Sequence, residues 1–254
     1  MKSARGFTLI ELLVVVTVIG ILTVLGFYGY QKIIQSSKQG KEIHAARALL
    51  AGFHAYAVDN NGKVLPGYEN KPKDVKDDKG QPIRFGSAAA RYPWRIAPYI
   101  DYNVDNILLV NNTKMAPKKD AMYQYLVTVY PSLGMNVYYV GGHYGSSYSP
   151  DHPRFRSRFG NAVITNILQP HSPSKLVVFA SAYSTHQGRN VGCWEVDPPL
   201  KALGGVGKVD FRWNNKAVVG YFDGHVELND KETLLDMRRW NNKAAIEDNS
   251  NLSF

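Results

Sequence analysis

The stretch FTLIELLVVVTVIGILTVLGFYGY, residues 7–30, decides the organisation of this chain. It contains no Lys, Arg or Asp, and its one acidic residue is Glu11. A helix of this length spans roughly 36 Å, enough to cross a hydrocarbon core of about 30 Å. The simplest interpretation is therefore a plain membrane anchor.

The short segment before this stretch, MKSARG, favours a narrower interpretation. It carries Lys2 and Arg5 and ends at Gly6, directly against the apolar run. A secretory signal has a shorter apolar region followed by a small-residue cleavage site, so the segment fits that class poorly. By the positive-inside rule, the basic leader stays on the cytoplasmic side of the membrane.

Glu11 needs a partner, because an unpaired acid at the bilayer centre costs ~2.5–3.5 kcal/mol or more, and less near the end of the span. If the chain is cut after Gly6, Phe7 exposes a new α-amino cation about one helical turn from Glu11. In a filament, Glu11 of one subunit is then able to neutralise the amino group of the next subunit.

The sequence GFTLIELLVVV, residues 6–16, resembles the cleavage and methylation motif of type IV pilins and type II secretion pseudopilins. The resemblance implies cleavage between Gly6 and Phe7 by prepilin peptidase, N-methylation of Phe7, and Glu11 as the intersubunit partner. It further implies assembly with copies of the chain or with other pilins on an inner-membrane assembly platform.

The helix is predicted to continue well beyond the apolar stretch. Apolar residues recur every three or four positions at Ile43, Ala46, Leu50, Phe53 and Ala57, with Leu49 and Tyr56 widening the stripe. Gly26 and Gly29 stand where many pilins have a proline, and no proline occurs before Pro66. We expect one helix over residues 7–59, on the order of 80 Å long, stopped by the Asp-Asn-Asn-Gly cluster at 59–62.

The remaining chain is long enough to form a globular domain. The protein has 254 residues, of which 44% are hydrophobic, and no second apolar run approaches the length of a membrane span. We expect four parts: a leader at 1–6, a transmembrane or filament-core helix at 7–30, its amphipathic continuation at 31–61, and a soluble domain at 62–254.

Charge and cysteine content place weak limits on partners and stability. The formal charge is +9, from 30 Lys and Arg against 21 Asp and Glu, but the basic residues are dispersed. A solvated surface is the ordinary interpretation, and an acidic or nucleic-acid partner is the alternative.

Cys193 is the single cysteine, which excludes an intrachain disulfide and leaves packing to hold the domain together. No motif supports a reactive thiol.

The soluble part is predicted to be an α+β domain with an antiparallel sheet. Runs typical of strands lie at residues 106–110, 123–130, 135–140 and 175–180. Residues 91–100 are predicted to form a short helix or turn that places Trp94, Ile96 and Ile100 in the core. Residues 181–208 are predicted to form a loop.

The strongest local signal in the domain is AVVGYF-DG-HVEL, residues 217–228. Asp223 and Gly224 tolerate the positive φ angles that a type I′ turn requires, so the pattern predicts a β-hairpin. KETLLDMRRW, residues 231–240, follows as a predicted helix with Leu234, Leu235 and Met237 as apolar contacts.

Several domain segments resemble a group of prepilin-like proteins marked by a histidine, nine residues and then Asp-Gly. These segments are YPWRIAPYI (92–100), PSLGMN (131–136), SPSKLVVFA (172–180), YFDGHVE (221–227) and LLDMRRW (234–240). The residue ten positions before Asp223 is Trp213, so the signature histidine is absent here. Any role attached to that histidine does not carry over.

No residue pattern favours catalysis, a cofactor or a metal centre. The histidines lack H-E-x-x-H or Cys/His spacing, and no G-x-S-x-G elbow, P-loop or dinucleotide fingerprint occurs. Acid–histidine neighbours lie at 151–152 and 223–225, but side chains so close in sequence usually point apart, so spacing gives no support. Asp74, Asp77 and Asp78 offer a calcium alternative, although their spacing does not match an EF-hand loop.

A binding role for the soluble domain is the competing hypothesis. Residues 141–160 form a long irregular segment rich in Gly, Ser, Tyr and Arg, and such loops are either functional or disordered. Side chains suited to stacking on sugars or bases and to contacting phosphates are Tyr138, Tyr139, Tyr144, Tyr148, Phe155, Phe159, Arg154, Arg156 and Arg158. The ordinary alternative is that the loop packs its aromatic rings on its own domain.

These patterns predict a non-enzymatic filament subunit of a type IV pilus-like structure or a type II secretion pseudopilus. We expect a single-pass protein of the bacterial inner membrane with its domain in the periplasm, later located in the pilus, the pseudopilus or the cell surface. The alternative is a minor pilin-like surface protein whose domain binds DNA, a glycan or an exported protein. The sequence leaves open which filament system it serves.

Overall fold

A computed structural model describes residues 8–145, 150, 152–153, 157, 162–186, 189–200 and 205–252 of the chain. The chain divides into two compact units, Met1–Gly40 and Lys41–Phe254. The described residues contain a long N-terminal helix, short helices and antiparallel β-structure. This composition confirms the predicted α+β fold class.

The N-terminal helix, α1, runs from Leu9 to Asp59 without a break. The hydroxyls of Thr17 and Thr23 donate to the carbonyls of Leu13 and Ile19, at 2.6 Å and 2.7 Å. These threonines therefore satisfy their own hydrogen bonds within the helix, as apolar surroundings require.

Helix α1 ends where the sequence predicts. Asn61 and Gly62 have φ angles of 56° and 81°, and the Gly62 N–H donates to the Ala57 carbonyl at 2.7 Å. Left-handed residues stop a helix because they turn the backbone back onto its last free carbonyls. Asn and Gly adopt this conformation at the lowest cost, so the cluster at 59–62 is a sufficient stop signal.

The second half of α1, residues 41–59, buries one face on the sheet. The buried apolar residues of this face are Ala45, Ala46, Leu49, Leu50, Phe53 and Ala57. Phe53 meets Phe179 and Phe222 edge-on, with ring centroids 6.2 Å and 5.6 Å apart. The stripe predicted from three- and four-residue spacing is confirmed, because that spacing places these side chains on one side of the helix.

The main sheet contains four antiparallel strands. In spatial order they are β1 (Leu133–Met135), β2 (Val177–Ser181), β7 (Lys216–Tyr221) and β8 (Val226–Asp230). Alternate residues of β7 belong to separate buried clusters: Val218 packs with the α1 side, and Val219 with the opposite side. The central strands β2 and β7 are therefore covered on both faces, as their continuous apolar runs indicate.

Helix α1 packs closely against the sheet at Gly220. A Cβ atom on Gly220 would lie 2.9 Å from the Cδ1 atom of Leu50. A glycine within a strand commonly marks such an approach by another element. Gly220 thus fixes how deeply Leu50 sits against β7.

Residues 181–208 are more regular than the predicted loop. They contain two antiparallel ribbons, β3 (Ser184–His186) with β4 (Arg189–Val191), and β5 (Asp197–Leu200) with β6 (Gly205–Gly207). The strands are short and rich in polar residues, Gly and Pro, so they lack the apolar alternation that identifies a strand in sequence.

Residues 123–130 form a helix, not the predicted strand. Helix α4 spans Tyr123–Val129 and buries Tyr123 and Val127, and Tyr130 just beyond it is also buried. The prediction followed the β-branched and aromatic composition, but the buried apolar positions are spaced by four and three residues. Periodicity here outweighs intrinsic β-propensity.

Two other strand predictions are wrong or only partly right. Residues 106–110 overlap a π-helical turn, Val104–Leu108, which buries Ile107 and Leu108 in succession. The strand predicted at 135–140 lies earlier, as β1, and Asn136 ends it. The Asn136 side chain donates to the carbonyls of Val177 and Trp240, and the Val137 N–H donates to the Met135 carbonyl at 2.9 Å, so a tight turn follows the strand.

The short helices flanking the sheet follow the sequence more closely. Residues 86–90 form α2 (Gly86–Ala90), and 91–100 form α3 (Tyr92–Ile96) and a 3₁₀ turn (Ala97–Ile100). Trp94, Ile96 and Ile100 are buried as predicted.

The C-terminal segment consists of α5 (Lys231–Leu234), a 3₁₀ turn (Met237–Arg239) and α6 (Asn242–Ile246). Leu234 and Met237 are buried, whereas Leu235, the third predicted apolar contact, is 41% exposed. The reason is that the α-helix ends at Leu234, and the next core-facing position is three residues away.

The predicted hairpin is confirmed as β7 and β8, but its turn differs from the predicted one. Gly224 has a φ of 95°, whereas Asp223 has no positive φ. The Gly224 N–H donates to the Tyr221 carbonyl at 3.0 Å, and the Tyr221 N–H to the His225 carbonyl at 2.9 Å. A turn followed by one left-handed glycine closes the longer hairpin loop, as in type I turns with a glycine bulge.

Candidate functional site

The first turn of α1 contains the predicted assembly residue Glu11. Its Oε2 atom accepts from the Thr8 N–H at 2.9 Å and from the Thr8 hydroxyl at 2.8 Å. The Glu11 N–H donates back to the Thr8 hydroxyl at 3.3 Å. The other predicted processing residues, Gly6 and Phe7, lie outside the described residues.

Thr8 and Glu11 form a capping box, a helix-start motif that was not predicted from the sequence. A threonine followed three residues later by a glutamate satisfies two free N–H groups at a helix start. The Oε1 atom of Glu11 makes no hydrogen bond within the described part of the chain. Glu11 therefore begins the helix and still presents one carboxylate oxygen to an outside donor.

The surface around Glu11 is apolar on all sides. The exposed large apolar residues between Leu9 and Phe27 are Leu9, Ile10, Leu12, Leu13, Val14, Val15, Val16, Val18, Ile19, Ile21, Leu22, Val24, Leu25 and Phe27. A helix that is apolar all round belongs in a membrane or a large core. An 18-residue window of α1 has a mean hydropathy of 2.7, and none of it is buried within the structure.

A second glutamate on α1, Glu42, has a role that the sequence did not predict. Its side chain is completely buried and accepts from the Asn111 amide, from the Ser181 hydroxyl at 2.5 Å and from the Trp213 indole at 3.2 Å. The Arg212 guanidinium lies 3.8 Å from Glu42 Oε2. These partners come from three distant segments, so no local sequence pattern announces them.

Burial raises the pKa of Glu42, while Arg212 and the hydrogen bonds from Ser181 and Trp213 act in the opposite direction. Every one of these partners is a donor, and a carboxylate is acceptor-only when it is ionised. These contacts favour the charged form, whereas burial and the nearby Asp210 carboxylate favour the neutral form and raise the pKa on balance. Arg212 also pairs with Asp210 at 3.0 Å, so its positive charge is shared between the two carboxylates.

The tip of the β7–β8 hairpin brings an acid and a histidine together, contrary to the expectation from their spacing. His225 Nδ1 lies 2.5 Å from Asp223 Oδ1, and His225 Nε2 lies 3.3 Å from Glu227 Oε1. Partial burial acts to lower the pKa of His225, but the hydrogen bonds to both carboxylates outweigh it and raise the pKa. Because each ring nitrogen lies beside a carboxylate, the interpretation of His225 is structural: it forms an ion-pair cluster with Asp223 and Glu227.

Other candidate sites have ordinary structural explanations or lie outside the described residues. Asp77 accepts from the backbone N–H groups of Lys79 and Gln81, which fixes a turn. Among the described residues, no group of three His, Cys, Asp or Glu side chains is arranged to hold a metal ion. Cys193 is buried, and burial raises the pKa of its thiol, which disfavours the reactive thiolate.

The proposed aromatic and basic binding segment is only partly described. Tyr139 is buried, and Tyr138 and Tyr144 are partly buried. The other members, Tyr148, Arg154, Phe155, Arg156, Arg158 and Phe159, lie outside the described residues, as does Asp151 of the 151–152 pair. That hypothesis remains a prediction.

Comparison with known proteins identifies the start of the chain. Residues 1–27 match the family model described as the prokaryotic N-terminal methylation motif. No curated protein and no solved structure matches the chain. The motif implies processing by prepilin peptidase and assembly with other pilins. The chain thus carries a prepilin-type N-terminal motif ahead of a long helix and an antiparallel sheet, an arrangement that fits a membrane-anchored pilin or pseudopilin.

Proposed function

We propose that this chain is a structural subunit of a type IV pilus-like or type II secretion pseudopilus filament. One observation carries the proposal: residues 9–27, within the matched motif, expose every large apolar side chain. Such a surface is stable only when lipid or neighbouring helices cover it. The bilayer covers it before assembly, and helices of neighbouring subunits cover it in the filament core.

Maturation prepares the N-terminus for this bundling. Prepilin peptidase removes residues 1–6 by cutting between Gly6 and Phe7, and the new amino group of Phe7 is methylated. The free Oε1 of Glu11 then accepts from the amino group of a neighbouring subunit. In apolar surroundings this pair recovers part of the cost of burying each charge and sets the axial register of the two helices.

In this proposal, each of the four parts of the chain has its own location. The leader at 1–6 holds the cytoplasmic side, residues 7–30 span the inner membrane, residues 31–61 extend the helix, and the domain at 62–254 faces the periplasm. The inner-membrane assembly platform then adds the subunit to a growing filament of copies or of other pilins. The proposed role is structural and involves no enzymatic step and no cofactor.

Mass spectrometry of the native protein tests the proposal. The mature chain is expected to begin with N-methylated Phe7, and retention of Lys2 would reduce the apolar stretch to an ordinary anchor. Gly6→Val should block cleavage, because the peptidase of the resembled family requires a small residue at that position. Ser3→Ala, in the same leader, should be processed normally.

A second candidate function is ligand binding by the soluble domain. Tyr68 stacks on His143 with ring centroids 4.6 Å apart, and the Arg91 guanidinium lies 5.5 Å from the Trp194 ring centroid. These side chains are partly exposed, and an aromatic cluster beside a guanidinium has the chemistry to contact a sugar or a base. Trp194→Ala should then reduce retention of the filament on immobilised glycan or single-stranded DNA without affecting assembly.

A further inference from the structure

Trp213 occupies the position at which the resembled prepilin-like proteins carry their signature histidine, ten residues before Asp223. Its indole Nε1 donates to the Glu42 carboxylate at 3.2 Å, and the side chain is only 6% exposed. Tryptophan and histidine share a planar ring with an N–H donor at its edge. We propose that residue 213 is a positioning residue, whose ring N–H holds the carboxylate of Glu42 and so fixes the register of residues 41–59 of α1 on the sheet.

The backbone around Trp213 is built to aim its ring. The Trp213 and Lys216 backbones exchange two hydrogen bonds, each 3.0 Å long. Between them, Asn214 and Asn215 have φ angles of 51° and 60°, the conformation of a type I′ hairpin turn. This tight turn leads directly into β7, so the indole is tied to the central strand that α1 covers.

A second donor to Glu42, the Ser181 hydroxyl, belongs to the sheet itself. Ser181, at the end of β2, donates its hydroxyl to Glu42 Oε1 and accepts from the Val218 N–H of β7 at 2.8 Å. Glu42 is therefore connected to β2 through Ser181 and to the start of β7 through Trp213. A displacement of α1 along or around its axis would break both connections.

Directional bonds are needed here because the rest of the contact is apolar. Burial of Leu50 and Phe53 stabilises the helix on the sheet, but the hydrophobic effect is non-directional. A buried polar group specifies one arrangement because every alternative leaves it without partners, as single polar residues do in coiled coils. Glu42 is the only charged side chain of α1 that is buried among the described residues.

A double-mutant cycle on the full-length protein in detergent micelles tests the inference. Trp213→Phe keeps an aromatic ring and removes the N–H, so it should lower the folded-to-unfolded ratio in urea by about tenfold or more, as expected for a hydrogen bond to a charge. Glu42→Gln should also destabilise. Their combination should cost clearly less than the product of the two effects, and additive effects would overturn the proposal.

Restoring a ring N–H at residue 213 distinguishes a hydrogen-bond donor role from a packing role. Trp213→His leaves at least as large a void as Trp213→Phe but restores a ring N–H, so it should be the more stable of the two. If the histidine variant is no more stable than the phenylalanine variant, the donor role is wrong. Trp94→Phe is the matched control, since that indole donates to the Gln124 carbonyl at 2.7 Å and should combine additively with Glu42→Gln.

Indole hydrogen exchange in the wild-type protein keeps the inference testable if a variant fails to fold. The Trp213 Nε1–H should exchange far more slowly than a free indole N–H, and Glu42→Gln should move its NMR resonance. Exchange at the rate of a free indole in the wild type would exclude the contact with Glu42.

Discussion

The two halves of α1 differ in what covers them. From Leu9 to Phe27 every large apolar side chain is exposed, whereas residues 41–59 bury a single stripe within their own domain. The helix is continuous, so secondary structure does not distinguish the halves. The difference teaches that the apolar surface of the first half needs lipid or other helices to cover it. The apolar stripe of the second half is already covered by its own domain.

Two glutamates show the same contrast. Glu11 is exposed and bonds only to Thr8 within the described residues. Glu42 is buried, accepts hydrogen bonds from three donors and lies 3.8 Å from the Arg212 guanidinium. A carboxylate that keeps an oxygen free suits an intersubunit contact. A carboxylate whose oxygens are both engaged inside the domain suits a structural contact. Each of the following predictions breaks or sharpens this comparison.

The largest expected effect is the loss of filaments when the exposed glutamate is changed. Glu11→Ala and Glu11→Gln should abolish or severely impair assembly, because both remove the charge that pairs with a neighbouring amino group. Cleavage should persist, since Gly6 is untouched. Filaments counted by electron microscopy in cells lacking wild-type subunits provide the measurement.

Thr8→Val is the matched control for Glu11, because it removes the hydroxyl of the capping box and leaves the charge. This variant should still assemble. If Thr8→Val were as defective as Glu11→Ala, capping of the helix would explain the phenotype. Normal filaments from both Glu11 variants would contradict the charge-pairing account.

The next largest effect should separate the helix halves by identical chemistry. Leu50→Ala in the buried half should reduce the free energy of unfolding of the domain by about 2–5 kcal/mol, the usual cost of a large-to-small core change. Leu22→Ala, at a position that is 62% exposed, should change it by less than about 0.5 kcal/mol. Urea unfolding in detergent micelles measures both, and equal losses would show that the two halves are packed alike.

A smaller effect is expected at the C-terminal end of the buried half. Gly62 has a φ of 81°, so Gly62→Ala should cost about 1–2 kcal/mol by forcing an L-residue into the left-handed region. Gly80 has a φ of 72°, and a Cβ atom added there would have no neighbouring atom within 4 Å, so it offers a comparison in an exposed turn. If backbone strain alone matters, Gly80→Ala should lower the free energy of unfolding by a similar amount. If the added Cβ atom at residue 62 also crowds the Asn166 side chain, which would lie 3.0 Å from it, Gly62→Ala should lower the free energy of unfolding by more. Urea unfolding of the two variants measures the difference.

The smallest effect concerns the exposed charges at the hairpin tip. The pKa of His225 is raised in the folded state by Asp223 and Glu227, so its ion pairs stabilise the protein below the unfolded pKa of about 6.5. That contribution is lost as the pH rises through the folded pKa. The side chain is 40% exposed, so solvent screening limits the contribution to about 0.5 kcal/mol or less.

Stability curves of the wild type and of His225→Gln check this pH dependence. The two proteins should differ most under mildly acidic conditions and converge under alkaline conditions. NMR titration of His225 should give a pKa above that of a free histidine. A pKa at or below the free value would show that the carboxylates do not hold the ring.

Local patterns in the sequence determined much of the fold. Residues 7–30 predict a long apolar helix, the cluster at 59–62 predicts its end, and Asp223-Gly224 predicts the hairpin. The capping box of Thr8 and Glu11 was equally readable. Apolar periodicity, helix caps and turn conformations depend on neighbours within a few residues, so they can be read without the fold. The processing residues Gly6 and Phe7 and the four-part division of the chain remain predictions.

The tertiary structure alone decided the surroundings of Glu42 and the conformation of residues 123–130. The donors to Glu42 lie 69, 139 and 171 positions away in sequence, and no short motif connects them. Residues 123–130 have a strand-like composition but form a helix because the core accepts Tyr123 and Val127 on one side. Burial and pairing depend on which distant segments meet, and that information appears only when the chain is folded.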